Sequence, residues 1–537
     1  MTGPGGRGRA GRVAAGMRLA CAFLLAAALA ACATLQKDYP RPESHALPPA
    51  SDTGTARYVG AELARHDGLS GFRLLTLSTN ALLSRIALID RAAHSLDLQY
   101  YIFRNDATGR LVAQHLLTAA DRGVRVRLLL DHLKISPAEV ALLEVLDAHE
   151  HVEVRFFNPF STRSPGPLSV ATEMMFAGRR LNRRMHNKLL VEDNVVAILG
   201  GRNIGDDYFD ASSDLRYRDL DLVAIGDVVP AASSTFDQYW NSEFSYPMAA
   251  FRTERANDQA LAKARKAIKD DVRAFEQSDY QKEVMEDLPE GPSGARQGEW
   301  FWGPAELVAD KPEKVEADTK DTHARTLRIG PRLKSVMDEA KVEMMLISPY
   351  FIPGDTGTAY LAGLAQRGVT VKVLTNSLAS TDEPLVHAAY VHYRRELLAG
   401  GVHLYELKPA AVEKQKTTAA AESSGISLHA KAFQVDRRYV FIGSLNLDPR
   451  SRLLNTEMGV IVDCPPLAEA LTQFFETATL PGNAYALKLD PPGEVHGHLS
   501  WQEQGKPGED HGHEPGANPK RRLQVAVMRM FPIDGLL

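Results

Sequence analysis

His186-Asn187-Lys188, four residues, Asp193, six residues, then Gly200-Gly201-Arg202-Asn203: this stretch occurs twice in the 537-residue chain. It returns as His429-Ala430-Lys431, four residues, Asp436, six residues and Gly443-Ser444-Leu445-Asn446. The two histidines are 429 − 186 = 243 positions apart, so the copies lie in different halves of the chain. The natural reading is one site built from two similar halves.

Residues two apart on a strand point to the same face, so His186 shares a face with Lys188 and His429 with Lys431. Apolar runs flank each aspartate (Leu189 to Val191 and Val195 to Leu199; Ala432 to Val435 and Val440 to Ile442), as in a buried hairpin turning at Asp193-Asn194 or Asp436-Arg437. Each returning strand ends in small residues beside its histidine. An imidazole, an ammonium, glycine backbone and an Asn amide on one surface provide a nucleophile or acid, a fixed positive charge and neutral donors, which suits a phosphoryl group. Lysines and imidazoles fill the roles that divalent ions take elsewhere, so the constellation calls for no metal or other cofactor.

The repetition extends beyond the motif. Asp121-Arg122-Gly123-Val124 and the apolar run to Leu130 match Gln366-Arg367-Gly368-Val369 and the run to Thr375, each a helix end, a Gly stop and a buried strand. Ser95 to Phe103 parallels Glu343 to Ile352, and Asp219-Leu220-Asp221 is aligned with Asn455-Thr456-Glu457. Strands alternate with helical segments in both halves, so the expected fold class is α/β, two homologous domains with mixed sheets between helices. Expected boundaries are a leader at 1–31, a linker at 32–70, domain one at 71–250, a connector at 251–325, domain two at 326–490 and a tail at 491–537. The aromatic patch Trp300-Phe301-Trp302 is expected to pack the connector onto a domain.

Two copies of H-x-K-x4-D-x6-G-S/G-x-N resemble the phospholipase D superfamily, and the run from Gly200 to Phe209 is most similar to the bacterial cardiolipin synthases of the C type. The resemblance spans about residues 70 to 490. It implies two α-β-α sandwich domains sharing one active site at their interface, and a phosphatidyltransferase that makes cardiolipin from phosphatidylglycerol plus a second phospholipid, phosphatidylethanolamine or phosphatidylglycerol. His186 is assigned as nucleophile, forming a phosphohistidine, and His429 as general acid. Lys188 and Lys431 would neutralise the diester, Asn203 and Asn446 would bind its oxygens with Ser444 as a further donor, and Asp221 and Glu457 would orient the histidines. Asp193 and Asp436 complete the catalytic signature, although their place at strand ends fits bracing of the hairpins better than contact with substrate. Gly201 stands where the second copy has Ser444, so the half-sites are unequal. Two other readings are a hydrolytic phospholipase D and a non-catalytic lipid-binding lipoprotein; the latter would be expected to lose part of the motif, and both copies are intact.

The N-terminus bears on compartment. Arg7, Arg9, Arg12 and Arg18 precede a short apolar run, Leu19 to Ala31, and Leu29-Ala30-Ala31-Cys32 reads as a lipobox. About 13 apolar residues are few for a membrane span. By resemblance to bacterial lipoproteins, Cys32 becomes the acylated mature N-terminus of an envelope protein facing the periplasm, whether translation starts at Met1 or Met17. Only Cys464 then remains, so no internal disulfide can form. Losing the leader moves the net charge from 62 − 67 = −5 to 58 − 67 = −9, an acidic balance that argues against general nucleic-acid binding and leaves membrane contact to the anchor. In the tail, His496, His498, His511 and His513 read as solvated linker rather than a metal site, and Arg521 to Leu537 as an amphipathic end that docks on the protein.

Overall fold

Each expected hairpin lies inside its own sheet, away from the edges. Leu189–Glu192 and Val196–Gly200 pair antiparallel in the first half, as do Ala432–Val435 and Tyr439–Gly443 in the second. Both turn through two consecutive left-handed residues, Asp193 and Asn194 (φ 50° and 55°) and Asp436 and Arg437 (53° and 52°). The computed structural model describes residues 39–537 except 134, 161–179, 213–214, 252–257, 279, 281–299, 410–424, 503–509, 512 and 531–537. The leader, Cys32, the Gly291–Gly298 stretch and the last residues of the amphipathic end lie outside the described residues.

Among the described residues the first sheet has nine strands and the second ten. Around each hairpin the order is the same: Ser95–Tyr100 lies antiparallel to Leu189–Glu192 and parallel to Arg125–Asp131, and Glu343–Ile347 repeats this with Ala432–Val435 and Thr370–Asn376. Three buried cores result. The outer cores lie between each sheet and its own helices, Ser78–Arg91 and Ala107–Asp121 in the first half, Gly330–Met337 and Pro384–Ala399 in the second. The central core is shared: Leu189, Val191, Ala197 and Leu222 of one sheet join Ala432, Val440, Ile442 and Val460 of the other, with helices Val228–Trp240 and Pro465–Ala478. Burying apolar area from both halves in one layer fixes their relative position.

The hairpin aspartates brace this frame. Asp193 accepts from the backbone N–H of Ala93, His94 and Ser95 at 2.8–2.9 Å, and Asp436 does the same for Lys341, Val342 and Glu343. Hydrogen bonds to a charged group are each worth roughly 1.5–3 kcal/mol.

Three segments depart from the sequence reading. The connector enters both sheets, since Phe301–Gly303 pairs with Ser70–Leu75 and, one residue on, Ala305–Ala309 pairs with Met458–Asp463. Trp302 stacks on His66 at 3.8 Å, so the aromatic patch packs onto the first domain. In the tail, His498–Gln502 and Asp510–His511 extend the second sheet, and Pro519–Met528 docks through buried Val525 and half-buried Met528 while Leu523, Val527 and Met530 stay exposed. The linker is held too: the carbonyls of Pro42 and Ser44 accept from Arg155 and Arg127, and Ala50 N donates to Asp193 O. The sequence does not signal these pairings because their bonds are made by backbone, which leaves no side-chain signature.

Candidate active site

The chain segments that carry the histidines cross between the halves. Gly425–Leu428, which leads into His429, pairs in parallel with Leu215–Arg218 of the first half, and the peptide N–H of His429 donates to Arg218 O at 2.7 Å. Met185 bridges Thr456 in the same way, and His186 N donates to Thr456 O at 2.9 Å. The last residues of strands Arg125–Asp131 and Thr370–Asn376 pin the residue before each histidine: Asp131 accepts from Met185 N, and Asn376 from Leu428 N, both at 2.9 Å.

Each histidine consequently meets a carboxylate from the other half. His186 Nδ1 lies 2.9 Å from Glu457 Oε2, and His429 Nδ1 lies 2.5 Å from Asp219 Oδ2. Asp221, expected to orient a histidine, does not reach one. It holds the buried guanidinium groups of Arg85 at 3.0 Å and Arg202 at 3.2 Å. Strand register explains the correction. Gly200 pairs with Asp221 and Gly443 with Gly459, so the partner of Glu457 is Asp219, two residues before Asp221. A two-residue slip keeps every side chain on its own face, and the apolar pattern cannot detect it.

Lys188 and Lys431 are buried, and each ammonium donates to the backbone carbonyl of its own histidine, Lys188 at 2.6 Å. They therefore stand on the face of their imidazoles, as the two-residue spacing requires. Asn203 Oδ1 accepts from Ile102 N at 3.1 Å, which turns its amide N–H2 group away from that strand. Asn446 Oδ1 is buried without a hydrogen-bond partner among the described residues. The Ser444 hydroxyl, expected to donate to phosphate, donates instead to Glu457 at 2.5 Å and accepts from Met458 N. Gly201 has no such option, because a Cβ there would lie 2.0 Å from Asp219 Oδ1. The shorter carboxylate has moved into the serine's place, which accounts for the Gly/Ser difference between the repeats. Asp193 and Asp436 lie seven residues from their histidines at the far ends of their strands, about 20 Å at some 3.3 Å per residue, and do not reach the site.

Aromatic rings that the sequence did not flag complete the walls. Tyr101 meets His186 edge-on at 5.2 Å, with Lys188 Nζ 5.5 Å from its ring centre. Tyr208 and Tyr217 flank His429 at 5.3 and 4.8 Å, and Asp382 accepts from the hydroxyls of Tyr217 and Tyr350.

Burial governs the protonation states. It lowers His186 to about 4, against the opposing pull of Glu457, and pushes His429 well below the ordinary imidazole value. Despite its burial, Glu457 is held below the usual carboxylate range by His186 and Lys188, while Asp219 is raised because burial dominates. Lys431 falls to about 8 and Lys188 well below its ordinary value, both through burial. At neutral pH the first pair is thus a neutral imidazole on an ionised carboxylate, whereas in the second burial disfavours the charged form of both partners across a short contact. Such an arrangement can attack phosphorus from one ring and protonate a leaving oxygen from the other.

Comparison with known proteins agrees with this geometry. A family model described as cardiolipin synthase, PLD-like domain, matches residues 86–240 and 333–479. Cardiolipin synthase C of Escherichia coli (strain K12) is 37% identical over 487 residues, covering 88% of this chain and 98% of that protein. A cardiolipin synthase of Geobacillus kaustophilus is 26% identical, covering 72% and 62%. Among solved structures, phosphatidylserine synthase of Haemophilus influenzae Rd KW20 matches with a TM-score of 0.50 at 13% identity, covering 80% of this chain and 91% of that one, a likeness of fold.

Proposed function

The chain belongs to the cardiolipin synthase, PLD-like family, and we propose on that basis that it is a phosphatidyltransferase that joins the phosphatidyl group of one phospholipid to the headgroup glycerol of phosphatidylglycerol, giving cardiolipin. The observation that carries this reading is the crossed pairing of His186 with Glu457 and His429 with Asp219. It makes one site with two imidazoles in different protonation environments.

With Glu457 ionised, the proton of neutral His186 sits on Nδ1, and Nε2 presents its lone pair. Nε2 attacks phosphorus of the donor lipid, phosphatidylglycerol or phosphatidylethanolamine. As the N–P bond forms, the bond from phosphorus to the headgroup oxygen breaks, and the proton held by the His429–Asp219 pair passes to that oxygen. The glycerol hydroxyl of a phosphatidylglycerol molecule then gives its proton back to His429, attacks phosphorus and displaces His186. Lys188 and Lys431 offset the diester charge, with Asn203 and Asn446 beside them. Water in place of the glycerol hydroxyl gives hydrolysis, and the same residues serve both outcomes. Closely packed rings around His429 favour the lipid alcohol by limiting free water.

The protein works at a membrane, attached through an acylated Cys32 on the periplasmic side. Among the described residues no helix is long and apolar enough to cross a bilayer. The C-terminal helix supports a surface contact: Leu523, Val527 and Met530 are exposed at helical spacing beside Lys520 and Arg529, a layout suited to anionic lipid. Its Arg521 donates to Thr381 O, next to the Asp382 that anchors the tyrosine wall, so the stripe lies close to the site. The test is mass spectrometry of lipids after incubation with isotopically labelled phosphatidylglycerol, with and without phosphatidylethanolamine. Doubly labelled cardiolipin supports transfer; phosphatidic acid as the sole product overturns it.

A further inference from the structure

The two repeats differ on the outer side of their sheets. In the first, the space behind the Gly200-Gly201-Arg202-Asn203 turn is filled by a buried ionic cluster. Arg202 donates to Leu75 O, Thr76 O and Asp219 O and pairs with Asp221. Arg85 pairs with Asp221, donates to the Tyr100 hydroxyl at 3.2 Å and lies over the Phe209 ring. In the second repeat the offset of 445 − 202 = 243 puts Leu445 in the place of Arg202. An offset of 333 − 85 = 348 − 100 = 248, fixed by the matching bonds of Asp193 and Asp436, puts Leu333 in the place of Arg85 and Ser348 in that of Tyr100. Gly459 replaces Asp221. Every charge of the cluster is gone.

What remains is a cavity of about 160 Å³ between the second sheet and helices Gly330–Met337 and Gly354–Gln366, lined by Leu333, Met337, Leu346, Tyr360, Phe441 and Leu445, with Asn446 of the repeated motif in its wall. Lys334, Asp448 and Arg452 also line this partly open space, and its apolar part has room for about six carbons. Asn446, 446 − 429 = 17 residues after His429 in the same motif, ties this cavity to the segment that carries the histidine.

We propose that this cavity seats a methylene segment of one acyl chain of a phospholipid whose phosphodiester lies between the histidines. The inference rests on the phosphatidyl-transfer reading of that site and adds that the two half-sites treat lipid differently: among the described residues, the place of this seat in the first half is filled by Arg85, Arg202 and Asp221.

The experiment uses full-length protein in mixed micelles with phosphatidylglycerol carrying a photoactivatable diazirine in one acyl chain. Peptide mass spectrometry should find the label on Gly330–Met337 and Gly354–Gln366, competed by dioleoyl phosphatidylglycerol. Leu333→Trp and Met337→Trp, which fill the cavity from two positions, should each cut labelling at least fivefold and turnover of the dioleoyl lipid at least tenfold. Both should keep turnover of bis-p-nitrophenyl phosphate, a diester without chains, within twofold of the parent. Labelling confined to other segments, labelling indifferent to both substitutions, or an equal fall on both substrates overturns the proposal. Labelling at the cavity by a protein that only hydrolyses lipid, or leaves it intact, supports the seat and overturns the transfer reading instead.

Discussion

Asp219 and His429 stand 210 residues apart in the chain and 2.5 Å apart in space, Oδ2 to Nδ1, with the carboxylate buried in the first half and the imidazole carried by the second. Neither half holds a complete acid–base pair alone.

Asp219→Asn is expected to lower kcat by about 10²–10⁴, the range of a lost acid–base function, with the circular dichroism spectrum and Tm close to those of the parent. Asp221→Asn should do the reverse. It strands two buried guanidinium groups, and breaking a buried ion pair costs about 3–5 kcal/mol, read as a fall in the urea midpoint. A larger activity loss in folded Asp221→Asn than in Asp219→Asn would count against this division of roles.

His186→Ala and His429→Ala should each remove at least about 10³ of the turnover of phospholipid, and the double variant should be little worse than either single one, because attack and leaving-group protonation belong to one reaction coordinate. Near-normal turnover in either single variant would sink the shared site.

A nitrophenyl phosphodiester, whose leaving group needs no protonation, separates the two rings. His429→Ala should still accumulate phosphorylated His186 from it, whereas His186→Ala should form no adduct. Peptide mass spectrometry under acid-free denaturation locates the phosphoryl group; finding it on His429 reverses the assignment.

The pH profile of kcat/KM, which reports the free enzyme, should be bell-shaped with limbs near 4 and 8. Below about 4 the His186 imidazole takes up a proton and loses its attacking lone pair; above about 8 Lys431 loses its charge and with it the attraction for an anionic diester. Lys431→Arg should move the basic limb upward, since a guanidinium stays charged there. A basic limb that stays in place with this substitution assigns it to another group.

Cys32→Ser should abolish incorporation of labelled fatty acid and release the protein from the membrane fraction in high salt, because one apolar stripe on a ten-residue helix gives only reversible binding. Undiminished fatty-acid labelling would place the acylation site elsewhere.

Much of this arrangement was legible in the sequence. The doubled H-x-K pattern gave both histidines and both lysines, because two-residue alternation on a strand ties side-chain direction to spacing. Aligning Asp219-Leu220-Asp221 with Asn455-Thr456-Glu457 points to Glu457 but also to Asp221 in place of Asp219, since a slip of two leaves the alternation intact. Tyr101, Tyr208 and Tyr217 had no signal, as contacts between distant segments leave no local period. The same holds for the ladder bonds of 301–309, 498–502 and 510–511, which a chain of mixed polarity can make as readily as an apolar one.

One consequence follows from the pinned stretch at 39–53. Pro42 is fastened to Arg155, so Cys32, acylated as proposed, would command a leash of only 42 − 32 = 10 residues, at most about 35 Å long. A cord that short cannot carry the catalytic mouth across to a facing bilayer. On the proposed acylation and transfer, the enzyme grazes the leaflet in which it is rooted, both lipids it joins come from that single sheet of neighbours, and lateral diffusion sets their supply.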